Sequence, residues 1–133
     1  MRAVLDPNVL ISSLLSPTGA PAALLRRWFD GEFELVASAL LLAELARAIA
    51  YPKLRRRIAV EDAKLFIDLL ERAATLAEDP ALAPQRSRDP GDDYLLALAE
   101  SSGAILVTGG QDLLSLKGLP VMSPRAFLAT LPA

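Results

Sequence analysis

The sequence predicts a three-layer α/β/α domain with a mainly parallel central sheet. Three observations point there. Short, continuously apolar runs such as "RAVLD" (Arg2–Asp6) and "AILVT" (Ala104–Thr108) suit strands buried on both faces. Segments of helical period separate those runs, and regular alternation of strand and helix favours a parallel sheet with crossover helices. At 133 residues with 53% apolar content, the chain has the size of one domain, 1–133, and enough hydrophobic material for a core.

Taken in order, "RAVLD" is the first strand and ends in an acid. "NVLISSLL" follows as a short helix that "SPTGAP" breaks. "APAALLRRWFDG" places proline near a helix start and Gly31 just past its end, the usual polarity of a helix. "FELVAS" is the second strand, and Ser38 is placed to cap the helix "ALLLAELARAIAY" before "YPK" ends or kinks it. In "VEDAKLFIDLLERAATLA" the apolar residues Leu65, Phe66, Leu69, Leu70 and Ala73 recur at helical spacing. The stretch "EDPALAPQRSRDPGD" carries three of the ten prolines and reads as a loop. "DYLLALAES" is a helix behind an acid, leading through "SGA" to the strand "AILVT". A turn, "DLLSL", the short strand "LPVM" and the capped helix "SPRAFLATL" complete the chain.

Composition removes several kinds of chemistry. There is no cysteine, so disulfides, thiolate zinc sites and cysteine nucleophiles are excluded. There is no histidine, which removes the commonest general base and the commonest zinc ligand. Hydrolysis would have to come from Asp and Glu with a hard, oxygen-preferring cation. A net charge of -2 gives no overall attraction to nucleic acid, so binding there would need a local basic patch. No apolar run reaches the ~18 residues of a membrane span, and the acid at position 6 argues against a signal peptide. The expected setting is the cytoplasm, away from membranes.

Sites in open parallel sheets form outside the carboxyl ends of the strands. Asp6 lies at such an end, where it could equally cap the next helix. Glu44 sits inside the apolar "LLLAELARA", where an ionised carboxylate needs a partner or a metal, unless it shares a solvated stripe with Arg47. Asp93 opens an apolar helix and should come to the same edge, although capping explains at least one acid of "RDPGDD".

Together these residues carry a resemblance. "AVLDPNVLISSLLSP", "FELVASALLLAELARAIAYPK", "RDPGDDYLLALAESSGAILVTGGQDLLSL" and "PVMSPRAFL" stand in the order and spacing of the PIN-domain family, and nearly the whole chain is covered. The chain is most similar to the bacterial VapC-like PIN proteins of toxin–antitoxin systems. The resemblance implies a PIN-like fold and a toxin-type endoribonuclease. Asp6, Glu44 and Asp93 fall on the family's catalytic and metal-binding acids, with Mg2+ or Mn2+ as the cation, and Asp112 is either a further metal ligand, directly or through water, or a surface turn acid. The ion would resolve carboxylate repulsion, lower the pKa of water and stabilise charge on the scissile phosphate. Asn8 falls on a position that supports the site by hydrogen bonding. Thr108 and Ser38 lie near the cleft, where turn formation and helix capping also account for them.

Two residues depart from the family pattern. Pro7 stands where most relatives have threonine, removing an N–H and a hydroxyl beside Asp6. The usual Thr-x-Asp-x-Asp would place its first aspartate at position 110, where this chain has Gly110. A missing fourth acid should weaken a second metal site more than the first. Basic residues for an RNA substrate are expected in "PKLRRR", namely Lys53, Arg55, Arg56 and Arg57, helped by Arg47, Arg86 and Arg88. The resemblance also implies a cognate antitoxin and a homodimer. A different reading is a degenerate PIN domain that binds RNA or an antitoxin without efficient cutting. A phosphoacceptor or phosphatase domain is a third, weakened because "DPNVL" lacks the second acid of a D-x-D pair.

Overall fold

The computed structural model describes residues 1–132. Strands β1 (Arg2–Leu5), β2 (Glu34–Ala37), β3 (Thr75–Leu76), β4 (Ile105–Val107) and β5 (Val121–Met122) form one sheet in the order β3-β2-β1-β4-β5. Every neighbouring pair is parallel. Among the described residues the helices are α1 (Pro7–Leu15), α2 (Ala20–Phe29), α3 (Ala39–Ile49), α4 (Pro52–Arg55), α5 (Val60–Ala73), α6 (Asp93–Ser101), α7 (Gln111–Leu114) and α8 (Pro124–Thr130). This is the three-layer α/β/α arrangement that the alternating pattern predicts.

The strands are apolar throughout because they are covered on both faces. Ala3, Val4, Leu5, Leu106 and Val107 are wholly buried in the same core as Leu24, Leu45, Leu95 and Phe127. Phe33 and Phe127 close one end of that core edge to face, with ring centroids 5.2 Å apart. Local chemistry sets the helix starts. Asp6 caps α1 with Pro7 at its first turn, Ser38 caps α3, and Ser123 caps α8 ahead of Pro124. Gly31, at φ 78°, lies just past α2, where a side chain would be strained.

Three details add to or depart from what the sequence predicts. "YPK" does end α3, but the proline then opens the short helix α4. The end of "ERAATLA" is not helix: Thr75 and Leu76 form the edge strand β3, paired with β2. Two residues are too few for a period to be read. The stripe of α5 is helical as its spacing predicts, with Phe66 and Leu70 buried and Leu65 67% exposed.

The strand order decides where a site can form. From β1 the chain builds outward to β2 and β3, then returns past β1 to add β4 and β5 on the other side. The connections leaving β1 and β4 therefore diverge, and a crevice opens outside their carboxyl ends. Asp6 and Thr108 follow directly on those two strands.

The core carries the stability of this frame. Leu106→Ala in the fully buried centre of β4 should destabilise the protein by about 2–5 kcal/mol, read as a lower urea midpoint at unchanged slope.

Candidate active site

At the head of the crevice the Asp6 carboxylate is fixed from two sides. The Thr108 hydroxyl donates to Oδ2 at 2.8 Å and the Asn8 backbone N–H donates to Oδ1 at 2.9 Å. The Asp6 N–H itself donates to the Val107 carbonyl at 3.0 Å, extending the β1–β4 ladder by one bond. Pro7 takes nothing from this arrangement, because a helix N–H at the first position has no intrahelical partner to lose. The orientation of Asp6 is thus well determined despite proline. Asn8 supports it as expected, but through the backbone, and its side chain is exposed.

Glu44 projects from the second turn of α3, beside the buried face made by Leu41, Leu45 and Ile49. Its partner is not Arg47. The Tyr94 hydroxyl, from α6, donates to Glu44 Oε2. Burial, the hydrogen bond to Glu44 and the negative charges of Glu44, Asp6 and Asp79 all raise the Tyr94 pKa, so the phenol stays a neutral donor. Ser38 is buried and accepts from the Leu41 N–H at 3.3 Å, the capping role the sequence offered it.

Two adjacent aspartates divide the third position otherwise than expected. Asp93 is only 2% exposed, and its carboxylate is turned to the preceding loop. Oδ1 accepts from the Arg86 and Ser87 backbone N–H groups at 3.0 and 2.9 Å, with the Ser87 hydroxyl also at 2.9 Å. Burial opposes ionisation, but these donors outweigh it and hold Asp93 below the usual carboxylate range. Asp92, one residue earlier, is the acid whose charge meets the others. Burial first, then the charges of Asp6, Asp89, Glu44 and Asp93, push its pKa up to about 6.

Helical phase explains the division. Counting along α6, position 92 shares a face with the buried Leu95, Leu96 and Ala99, which lies against the sheet. Position 93 shares a face with Ala97 and Glu100, and Arg86 binds both ends of that face. Its amide donates to Asp93, and its guanidinium pairs with Glu100 at 2.5 Å. The apolar register of "DDYLLALA" already held this signal.

The remaining expected ligands are not gathered. Among the described residues no group of three or more acid side chains stands ready to hold a metal ion together. Asp93 faces the loop, Glu44 is engaged by Tyr94, and exposed Asp112 lies 3.8 Å from the Arg88 guanidinium. The donors near the edge are all hard oxygens, from Asp6, Glu44 and Asp92. That donor set is of the chemical kind that Mg2+ or Mn2+ prefers. At position 110 the glycine has φ -76° and caps α7, while its N–H donates to Thr108 Oγ1 at 3.0 Å. A Cβ added there would meet only that oxygen, at 3.4 Å.

The expected basic cluster lies on the surface past α3. Lys53, Arg55, Arg56 and Arg57 are exposed at and after α4, beyond the far end of α3. They follow the end of α3, whose last residue, Ile49, lies about 8 Å along the axis from Glu44. Arg88 is a further cation, with its side chain 85% exposed beside Asp112. A groove of about 1080 Å3 runs between α3 and α5, lined by Leu42, Ala46 and Ile67 and reaching the edge at Ser38 and Asp79. Asp6, Glu44 and Asp92 do not line it. No single helix among the described residues is long and apolar enough to cross a membrane.

Comparison with known proteins gives this geometry a context. The family model described as PIN domain matches residues 2–112. An uncharacterized protein, MJ1680, of Methanocaldococcus jannaschii is 31% identical over 117 residues, covering 88% of this chain and 76% of that protein. The crystal structure of PAE2754 from Pyrobaculum aerophilum superposes with a TM-score of 0.67 at 22% identity, covering 97% of this chain and 88% of the other. The structure of VapBC2 from Rickettsia felis, bound to a DNA fragment from its promoter, gives 0.65 at 15% identity, covering 92% and 98%.

Asp92 and Asp93 should show opposite pH signatures in metal-free protein. The raised pKa of Asp92 means that the native state holds its proton longer than the unfolded chain. Stability therefore falls as pH rises from about 4 to about 6. Asp92→Asn should relieve this, raising the melting temperature at pH 7.5 by the equivalent of about 1 kcal/mol after solvent screening, and not at pH 3.5. The lowered pKa of Asp93 contributes stability that is present at neutral pH and fades as pH drops below about 4. Asp93→Asn should accordingly destabilise by about 1–3 kcal/mol at pH 7.5, converging on the parent in acid. Melting curves across this range check both signs, and parallel curves for the two variants would contradict the assignment.

Proposed function

The chain belongs to the PIN-domain family, whose members are generally nucleases, and from that premise we propose that it is a toxin-type, metal-dependent endoribonuclease. The observation that carries this reading is geometric: Thr108 ties Asp6 across the β1–β4 crevice, and Tyr94, two residues after Asp92, ties Glu44 to the helix that Asp92 precedes. Like charges held together are unfavourable, and a divalent cation is what such a site lacks. When bound, Mg2+ or Mn2+ would supply Lewis-acid stabilisation of phosphate charge and a more acidic water. The assignment replaces Asp93 by Asp92 as the third acid.

The protein's own groups have distinct tasks in this scheme. Thr108 and the Asn8 amide keep both Asp6 oxygens in a fixed plane, so that Asp6 need not be ordered when ion and substrate arrive. Asp93 anchors the loop before α6 and thereby sets where Asp92 stands. Arg88 is placed to meet an RNA phosphate beside the edge. A cognate antitoxin is proposed as the protein partner. The likeness to VapBC2 supports it, and the acid-rich edge suits a basic side chain from such a partner. Exposed Leu40, Leu65, Leu69 and Leu76 support a homodimer, and we place the protein in the cytoplasm.

Gly110 favours a second reading, in which the domain binds RNA or its antitoxin and cuts poorly. Asp112 does not offset the absent acid here, because it lies towards Arg88.

Cleavage of single-stranded RNA in Mn2+ separates the two. The parent should cut, Asp6→Asn and Asp92→Asn should each lose about 100-fold or more, and excess EDTA should abolish activity. Gly110→Asp should raise the rate, since its backbone and surroundings admit the side chain. A parent indistinguishable from Asp6→Asn would instead support the non-cutting binder.

A further inference from the structure

We infer that Tyr94 is the positioning residue for Glu44, tethering one oxygen of that carboxylate by an uncharged donor and leaving the other free for the metal. The inference rests on the reading of Asp6, Glu44 and Asp92 as the metal-binding acids. Glu44 and Tyr94 come from different helices, 50 residues apart, and meet only in the fold. The Tyr94 ring packs against the core, which fixes where its hydroxyl can stand. That hydroxyl donates to Oε2, and Oε1 accepts no hydrogen bond among the described residues.

A glutamate side chain has three rotatable bonds, and holding it ready for a ligand costs conformational entropy. A donor on one oxygen removes much of that freedom before the ion arrives, as outer partners commonly do for metal-binding carboxylates. The identity of the donor matters. Lysine or arginine at position 94 would neutralise part of the acid cluster and compete with the cation. Phenylalanine would fill the same space and leave Glu44 loose. Tyrosine alone among these combines a packed body, a donor and no charge. Asp6 is served by the same principle, its donors being the neutral Thr108 hydroxyl and Asn8 amide.

The test is a Mn2+ titration of the full chain, freed of metal and followed by electron paramagnetic resonance, comparing the parent with Tyr94→Phe. The apparent Kd should rise about tenfold in Y94F while the metal-free melting temperature stays within a few degrees. In RNA cleavage at limiting Mn2+, Y94F should lose rate that a tenfold higher Mn2+ concentration restores, an outcome a packing defect would not give. Equal affinity in the two proteins overturns the inference and leaves the acid site standing. Tighter binding by Y94F also overturns it, and would make the hydroxyl a competitor of the ion. A parent that binds no Mn2+ at millimolar concentration overturns the acid site itself, and the inference with it.

Discussion

The hydrogen bond from Thr108 to Asp6 joins two points 102 residues apart, and the candidate site is arranged around it. It closes the seam between β1 and β4, where the sheet changes direction of growth and the chain leaves on diverging paths. A carboxylate at that seam is only 7% exposed, so it must be hydrogen-bonded or carry a heavy desolvation penalty. Thr108 and the Asn8 amide meet that demand without contributing charge. The Thr108 oxygen in turn accepts from the Gly110 N–H, so one hydroxyl links the Asp6 carboxylate to the turn that starts α7. Moving Thr108 would disturb the acid, the turn and the last bond of the β1–β4 ladder together.

The same constraint orders the rest of the edge. Carboxylates crowd there because parallel strands bring their carboxyl ends to one side, and each has to be reconciled with its neighbours. Asp93 does so by turning into a nest of amide donors, and Glu44 by bonding to a phenol. Asp92 has no comparable donor, and its pKa shows it, at about 6. Asp6, Glu44 and Asp93 thus have donors at this edge, while Asp92 is left partly buried among like charges. An anion pushed towards protonation by burial first and by neighbouring charges second is one that an added cation stabilises. This is a physical reason to regard Asp92, rather than the better-satisfied Asp93, as the group that awaits a ligand.

Much of this was legible in the sequence, and the limits are specific. Asp6, Ser38 and Thr108 could be placed because each follows directly on an apolar run whose direction the alternating pattern fixes. Glu44 stood out as an acid among aliphatic residues. The choice between Asp92 and Asp93 needed the phase of α6, which Leu95, Leu96 and Ala99 record but which a helix boundary uncertain by one residue conceals. β3 was hidden because two residues carry no periodicity. The basic run was legible as an exposed, charged segment, and it follows the end of the helix that carries Glu44. Tyr94 had no signal of its own, since its role exists only in the packing of α6 against α3.

Gly110 brings the two levels together. Its backbone is in an extended conformation open to any L-residue, and a Cβ there would stand clear of everything but Thr108 Oγ1. Glycine is therefore not required by the turn, which rules out backbone strain as the reason for its presence. The consequence lies in the charge instead. A fourth carboxylate beside Thr108 would add negative charge close to Asp6, and with no ion bound it would push the acids of the edge further towards protonation. Omitting it lowers the repulsion that the metal-free fold has to tolerate, and with it the attraction for a second cation.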